Sequence, residues 1–390
     1  MESARNRICW VCAAPATFDA FLAPHVARLS EDFEMTVVTS GRPHRAEKIT
    51  ARHVTLPISR KLSPVHDVSS LVGLCRLFRR ERFDAVHSFT PKAGLLGMVS
   101  ARLSGVRRRY HTFTGQVWAN KRGVARGALK TADRMLSVCA TRLLADSRSQ
   151  AQFLAEQGIV RDGGIDVIES GSICGVDTNR FRPDPIARRQ VREELGIAEA
   201  ATLVLFVGRL NRDKGVLDLA AAFESLSATW PDVWLLFVGP DEADWRERLR
   251  AHAGRNGGSR MRFIDATQEP ERFMGAADVL CLPSYREGFG SVIVEAAACG
   301  CPSVASRIYG VTDAVEENET DFLHPPGNVE ALRDCLARVC ADPGQARMLG
   351  ERARQRARAL FEQSRVTEGL ARWYREEFAG DAGSIPSGRR

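Results

Sequence analysis

The sequence lacks a long uncharged run. Its charge-free stretches, such as residues 8–18 and 296–306, are short, and a spanning helix needs about 18 apolar residues in a row. No membrane-spanning helix is expected. The apolar patch at 8–14 has no proper h-region and no small-residue cleavage site, so no signal peptide is read. The chain is expected in the cytoplasm, at most lying on a membrane surface. Also missing are a D-x-D motif, an H-x-x-H spacing and a G-x-x-x-x-G-K-[ST] phosphate loop. A catalytic metal and a resident cofactor are therefore not expected. The run Asp241-Glu242-Ala243-Asp244 spells a helicase signature, but without the phosphate loop it reads as acidic residues in a first helical turn.

Acidic residues are scarce in one region. Residues 60–130 hold 15 basic and 3 acidic side chains, and residues 1–175 hold 26 against 15. The whole chain carries +7, so the excess lies in the first half. Something anionic meets that half: a membrane surface, a phosphorylated substrate or nucleic acid. A composition of 44% hydrophobic and 26% charged residues is ordinary globular usage and excludes a disordered or collagen-like chain. Among ten cysteines, Cys9 and Cys12 form a C-x-x-C. They lie in a strand-like run, where positions three apart point to opposite faces and cannot share a metal. The cysteines read as small buried hydrophobes.

Both halves alternate strand-like and helical patterns. Strands are expected at 8–13, 35–39, 85–88, 109–112 and 142–145, with helices at 18–29, 65–80, 93–103 and 123–141. After a Gly-, Pro- and Asp-rich linker at 171–185 the alternation restarts. Strands are expected at 203–207, 234–238, 261–264, 279–282 and 303–306, with helices at 216–229, 291–299 and 329–340. Such alternation means parallel sheets covered on both faces. The fold class is α/β: two Rossmann-like doubly wound domains, 1–175 and 176–359, with an interdomain cleft. One long helical stretch over 345–378 is expected, its last part, 360–379, packing back on the first domain. The tail 380–390 is expected to be disordered.

Ligands of open α/β sheets bind at the carboxyl ends of strands. One such end reads Val207-Gly208-Arg209-Leu210-Asn211-Arg212-Asp213-Lys214-Gly215. Gly208 permits a tight turn, and Arg209 and Lys214 flank a turn that opens a helix. Two cations there suit a diphosphate, although a solvated polar turn has the same pattern. A second end carries Glu287-Gly288-Phe289-Gly290-Ser291 and, one turn into the helix, Glu295. The N–H groups at a helix start attract an anion, while carboxylates accept hydrogen bonds from hydroxyls. Phosphate and hydroxyls together describe a sugar nucleotide. In the first half, His87 and His111 each follow an apolar strand and are expected to face the cleft. The stretch after His111 contains Trp118, Lys121, Arg122, Val124, Arg126, Leu129 and Lys130. From Gly123 onward it fits a cationic amphipathic helix, with Trp118 as an interfacial anchor.

Residues 278–302, with Glu287 and Glu295 in E-x7-E spacing, resemble the signature of retaining glycosyltransferases of family four. Gly208-Arg-Leu-x-x-x-Lys214-Gly, Ser172-x-x-Gly175-Val-Asp177 and Asp321-Phe-Leu-His-Pro-Pro326 match it too. The resemblance implies a GT-B fold and metal-independent transfer of a sugar from a nucleotide sugar, with retention. It implies that Glu295 binds the ribose hydroxyls and that Glu287 orients the transferred sugar. Phe289, Gly290 and Ser291 then offer backbone N–H groups, and Arg209 and Lys214 neutralise the departing diphosphate. His111 matches the family's histidine near the sugar, with His87 supportive. The first half is most similar to enzymes that build polysaccharide repeat units on undecaprenyl diphosphate, through His87-x-x-x-Pro-Lys92-Ala-Gly-Leu-Leu-Gly and His111-Thr-Phe-Thr-Gly-Gln-Val-Trp118.

The expected partners are therefore a nucleotide sugar, UDP-linked with an N-acetylhexosamine as the candidate sugar, a polyprenyl-diphosphate-linked saccharide and the anionic cytosolic face of the inner membrane. Acceptor and membrane contacts fall to His87, Lys92, Trp118, Lys121, Arg122, Arg126 and Lys130. Nucleic acid is not expected, since no binding module is present. The competing readings are another GT-B chemistry, such as a nucleotide-sugar epimerase, and a nucleic-acid-binding protein. One departure is visible. Where many members have a Gly-Gly loop after the first strand, this chain has Ala13-Ala14-Pro15-Ala16-Thr17.

Overall fold

The structure, a computed structural model, describes residues 5–59, 63–252 and 254–380. The tail expected to be disordered lies, from residue 381 on, outside the described residues. The chain divides into two compact units, one formed by residues up to Cys174 together with those from Ser364 on, the other by Gly175–Gln363.

The first unit is built on seven parallel strands: β1 (Arg7–Val11), β2 (Glu34–Thr39), β3 (Arg52–Thr55), β4 (Ala85–Phe89), β5 (Arg108–Phe113), β6 (Arg142–Ala145) and β7 (Asp166–Val167). Their order is β3-β2-β1-β4-β5-β6-β7. The expected central strands form, because a strand buried on both faces reads as a nearly continuous apolar run. Cys9 and Val11 pack into the core on one face. Ile8, Trp10 and Cys12 pack into the core on the other. The C-x-x-C is thus split across the sheet, and all ten cysteines are free thiols. Strands β3 and β7 went unread in the sequence because they are short edge strands, with little apolar pattern. After β1, where the Gly-Gly loop is absent, Pro15 opens a short helix that runs into a π-turn, Phe18–Leu22. Asp19 in that turn accepts the backbone N–H groups of His44 and Arg45 at 2.9 and 2.8 Å.

The second unit carries six parallel strands: β8 (Thr202–Val207), β9 (Val233–Val238), β10 (Met261–Ile264), β11 (Val279–Leu282), β12 (Ser303–Ser306) and β13 (Phe322–His324). Their order is β10-β9-β8-β11-β12-β13. Leu203 and Leu205 enter one core and Val204 and Phe206 the other, which is the period-two alternation of a covered sheet.

The final helical stretch is not one helix. It is Pro343–Leu360 and Gln363–Ala379, interrupted at Phe361 and Glu362. Phe361 is fully buried, and its carbonyl accepts the Val176 N–H at 2.7 Å, while the Gln363 N–H reaches the Val176 carbonyl at 2.9 Å. These bonds take the place of the helical pattern. The last helix packs Leu370, Ala371 and Tyr374 into the first unit's core, as expected. Asp241–Asp244 precede the helix Trp245–His252 rather than lying in it. Asp241 caps it, accepting the N–H of Trp245 at 2.8 Å and of Arg246 at 3.1 Å.

Candidate functional site

In the second unit two strand-end loops are stitched together. One follows β8 and carries Arg209 and Lys214; the other follows β11 and carries Glu287. The Tyr285 N–H donates to the Asp213 carbonyl at 2.9 Å. Arg286 Nε reaches Asp213 Oδ2 at 3.0 Å, and the Tyr285 hydroxyl donates to Asp218 at 2.6 Å. Gly215 permits this closeness. Its φ is +68°, and a Cβ there would sit 2.0 Å from the Pro283 carbonyl oxygen, so any side chain would push the loops apart.

The stitching brings Lys214 Nζ to 2.5 Å from Glu287 Oε1. Arg209 extends to Glu242 Oε1 at 3.0 Å, an exposed pair that holds the guanidinium only loosely. Glu242 is a partner that sequence reasoning missed; only the pairing of β8 with β9 sets it beside Arg209. Behind Glu287, Phe289 is buried edge-on to Phe361 at 5.2 Å between ring centroids. Gly290 is the left-handed cap of the helix Ser291–Ala298, which carries Glu295 one turn in. Burial of the Glu295 carboxyl pushes its pKa up to about 7, against the pull of Arg180 and with the push of Glu271. The residues read as a donor set, Gly208, Arg209, Lys214, Glu287, Phe289, Gly290, Ser291 and Glu295, lie on two loops and one helix at the carboxyl end of one sheet. Arg180, from the 171–185 segment, is the further residue that the sequence reading did not single out.

The first unit corrects several expectations. His87 is fully buried and does not face an opening. Its two ring nitrogens meet the Tyr374 hydroxyl and Thr112 Oγ1, so it ties β4 to the last helix. Burial holds it well below the ordinary histidine range. His111 is 1% exposed. Its Nδ1 meets Ser88 Oγ at 2.9 Å, and burial pulls its pKa down to about 3, so it is neutral at physiological pH. Neither histidine follows its strand: His87 lies in the middle of β4 and His111 inside β5, and both point into core. Sequence shows the strand end, while the packing of a helix over it is a tertiary fact.

Trp118 is no interfacial anchor, being 1% exposed. Its indole N–H donates to Asp133 Oδ2 at 2.7 Å, and its ring stacks on Phe153. Arg126 and Lys130 lie over that ring and share Gln157 Oε1. They are half-buried and engaged by that ring and Gln157 rather than standing free on the helix surface. Lys121, Arg122 and Val124 are exposed, as expected. Lys92 pairs with Asp67 at 2.5 Å.

The family model described as glycosyl transferases group 1 matches residues 187–356, and one described as a glycosyl transferase 4-like domain matches residues 22–171. The capsular polysaccharide biosynthesis glycosyltransferase CapM of Staphylococcus aureus is 25% identical over 82% of this chain and 83% of its own. The UDP-Gal:alpha-D-GlcNAc-diphosphoundecaprenol alpha-1,3-galactosyltransferase of Escherichia coli is 28% identical over 73% of each chain. Sucrose-phosphate synthase from Thermosynechococcus elongatus superposes with a TM-score of 0.81 at 24% identity, covering 96% of this chain and 100% of its own. HepE of Anabaena in complex with UDP-glucose gives 0.80 at 21%, covering 95% and 99%. At these identities the structural likeness shows the fold.

Proposed function

The chain belongs to the group 1 glycosyl transferases, and on that premise we propose that it moves a sugar from a UDP-sugar to a lipid-linked saccharide in bacterial polysaccharide synthesis. The observation that carries this is the Lys214–Glu287 junction between two stitched loops, with Glu295 one turn into the adjoining helix. A single small surface offers cations for a diphosphate, helix-start N–H groups for its oxygens and carboxylates for hydroxyls. The names of two similar proteins support the substrate classes: the E. coli relative acts on UDP-galactose and a diphosphoundecaprenol acceptor, and HepE holds UDP-glucose.

In this reading Glu295 accepts hydrogen bonds from the ribose. Glu287 accepts from a hydroxyl of the transferred sugar, and the Phe289–Ser291 turn turns its N–H groups to the phosphates. Lys214 and Arg209 gain most as the diphosphate takes up charge in the transition state, where fixed positive groups do most for the rate. They take the charge-neutralising part that a divalent ion plays elsewhere, so EDTA leaves turnover unchanged. Among the described residues, no group of three or more His, Cys, Asp or Glu side chains could hold a metal ion.

Among the described residues, no helix is long and apolar enough to cross a membrane. A peripheral, cytosolic-face location fits a lipid-linked acceptor. With Trp118 buried and Arg126 and Lys130 engaged at Gln157, the docking surface rests on Lys121, Arg122 and Val124 and on the outer face of the helix Pro64–Glu81. There Val65, Val68 and Val72 are 80%, 63% and 38% exposed, beside the exposed Arg76 and Arg79.

The direct test is turnover of a UDP-sugar panel with a short-chain polyprenyl-diphosphate saccharide, with NMR of the product's anomeric proton. Transfer with the donor's configuration is expected. Inversion would overturn the retaining assignment. Epimerised sugar nucleotide without transfer would support the epimerase reading instead.

A further inference from the structure

The Gly175-Val-Asp177 turn of the 171–185 segment has no role in the site as described so far, yet its next residues reach that site. Asp177 Oδ1 accepts the N–H groups of Asn179 and Arg180 at 3.0 and 3.3 Å, and Phe181, whose N–H reaches the Asp177 carbonyl at 2.8 Å, is buried in the core. The Arg180 guanidinium lies over the Phe181 ring, 4.9 Å from its centre. It donates to the Gln268 carbonyl and pairs with Glu271 Oε2 at 2.8 Å. A guanidinium held by a turn, a ring, a carbonyl and a carboxylate keeps one orientation.

Glu271 opens the helix Pro270–Ala276, and its carbonyl meets the Cys299 thiol at 4.0 Å. Cys299 lies one turn beyond Glu295, on the same helix face. The face bearing Glu295 therefore lies against Glu271 and Arg180. The charged and titratable groups acting on the Glu295 carboxyl are Arg180, from the 171–185 segment, and Glu271, from the neighbouring helix. Cys299, on its own helix, is a neutral thiol pushed far up by burial.

We propose that Arg180 is a positioning residue for nucleotide binding: it keeps Glu295 an ionised acceptor for ribose hydroxyls beside a second carboxylate. The inference rests on the assignment of Glu295 to the ribose. Without the guanidinium, two acids face each other in a half-buried place, and one of them holds a proton at neutral pH. A protonated Glu295 keeps fewer acceptor sites for hydroxyls. Burial, with Glu271 pushing up and Arg180 pulling down, leaves this carboxyl at about 7, so loss of the Arg180 charge shifts it further toward the protonated form at the pH where the enzyme works.

The experiment is calorimetric titration with UDP-glucose, whose diphosphate does not titrate between pH 5.5 and 8.5. Wild-type affinity rises with pH through a midpoint near 7. Arg180→Met moves that midpoint up by roughly one pH unit, with several-fold weaker binding at pH 7 that recovers by pH 8.5; Arg180→Lys restores part of the shift. Glu271→Gln moves the midpoint down. Glu295→Gln gives weak binding with no pH dependence. Binding by Glu295→Gln equal to wild type, or no binding of UDP-glucose by the wild type, overturns the nucleotide assignment itself. If Glu295→Gln behaves as stated but Arg180→Met and Glu271→Gln leave the wild-type midpoint in place, the role of Arg180 is refuted. Should Arg180→Met fail to fold, the Glu271→Gln midpoint decides alone.

Discussion

Lys214 and Glu287 meet at 2.5 Å across two loops that are 73 residues apart in sequence. The pair is about four-fifths shielded from solvent, so neither charge is solvated independently of the other. In the proposed reading a donor diphosphate draws the ammonium toward itself while the carboxylate turns to the sugar, and the resting pair keeps both groups in place for that exchange.

Turnover should therefore depend on Lys214 more than folding does. Lys214→Ala is expected to lower the rate at saturating donor by about 10²–10³-fold. The double variant with Glu287→Gln should fall short of the product of the two single effects, because contacting residues couple. Rapid-quench single-turnover rates check this, and a near-normal Lys214→Ala rate would remove the lysine from the charge-neutralising role.

Glu295 should cost the fold stability while serving the ligand. Its folded pKa of about 7 lies above the ordinary 4.5, so the stability from its protonated form is complete below pH 4.5 and is lost as pH rises through 7. The full difference corresponds to roughly 3 kcal/mol, and partial solvent access reduces it. Glu295→Gln should melt above wild type at pH 8 and with it near pH 4.5. Identical melting curves at pH 8 would contradict the burial argument.

Gly94 should resist substitution although it sits inside a helix. A Cβ there would lie 2.4 Å from His111 Cε1 and 2.8 Å from Leu136 Cδ1. Gly→Ala in a helix interior ordinarily gains up to about 1 kcal/mol. Here overpacking should reverse the sign, with a net loss of about 1–3 kcal/mol in urea titration. A stabilised Gly94→Ala protein would show that His111 is free to move aside.

Flotation with anionic vesicles should distinguish the fully exposed cations from the half-buried, engaged ones. Lys121→Glu/Arg122→Glu and Val65→Ser/Val68→Ser should each weaken it, since a basic residue near an anionic leaflet contributes about 1 kcal/mol. Arg126→Gln should leave flotation unchanged and act on stability through Trp118 and Gln157. If Arg126→Gln alone abolished flotation, the Arg126 guanidinium would have to leave Gln157 for the lipid.

What the sequence determined by itself was everything that depends on local pattern. Buried parallel strands such as Ala85–Phe89 and Leu203–Val207 show as short apolar runs because both faces are covered. The Glu287–Glu295 segment shows as a strand end, a glycine turn and a helix start because each is fixed by a few adjacent residues. The family followed from those same letters. Tertiary structure alone decided which way side chains face and what they meet. Trp118 and the basic helix after it read as a membrane anchor because an amphipathic pattern does not say which neighbour covers it; Asp133 and Phe153 do. His87 and His111 read as cleft residues because a strand end is visible in sequence, but the last helix and Gly94 cover them from distant positions. The break at Phe361 and Glu362 was hidden for the same reason. An 18-residue and a 17-residue helix share one continuous apolar pattern, and the helix ends where Val176, 185 residues earlier, offers its backbone instead.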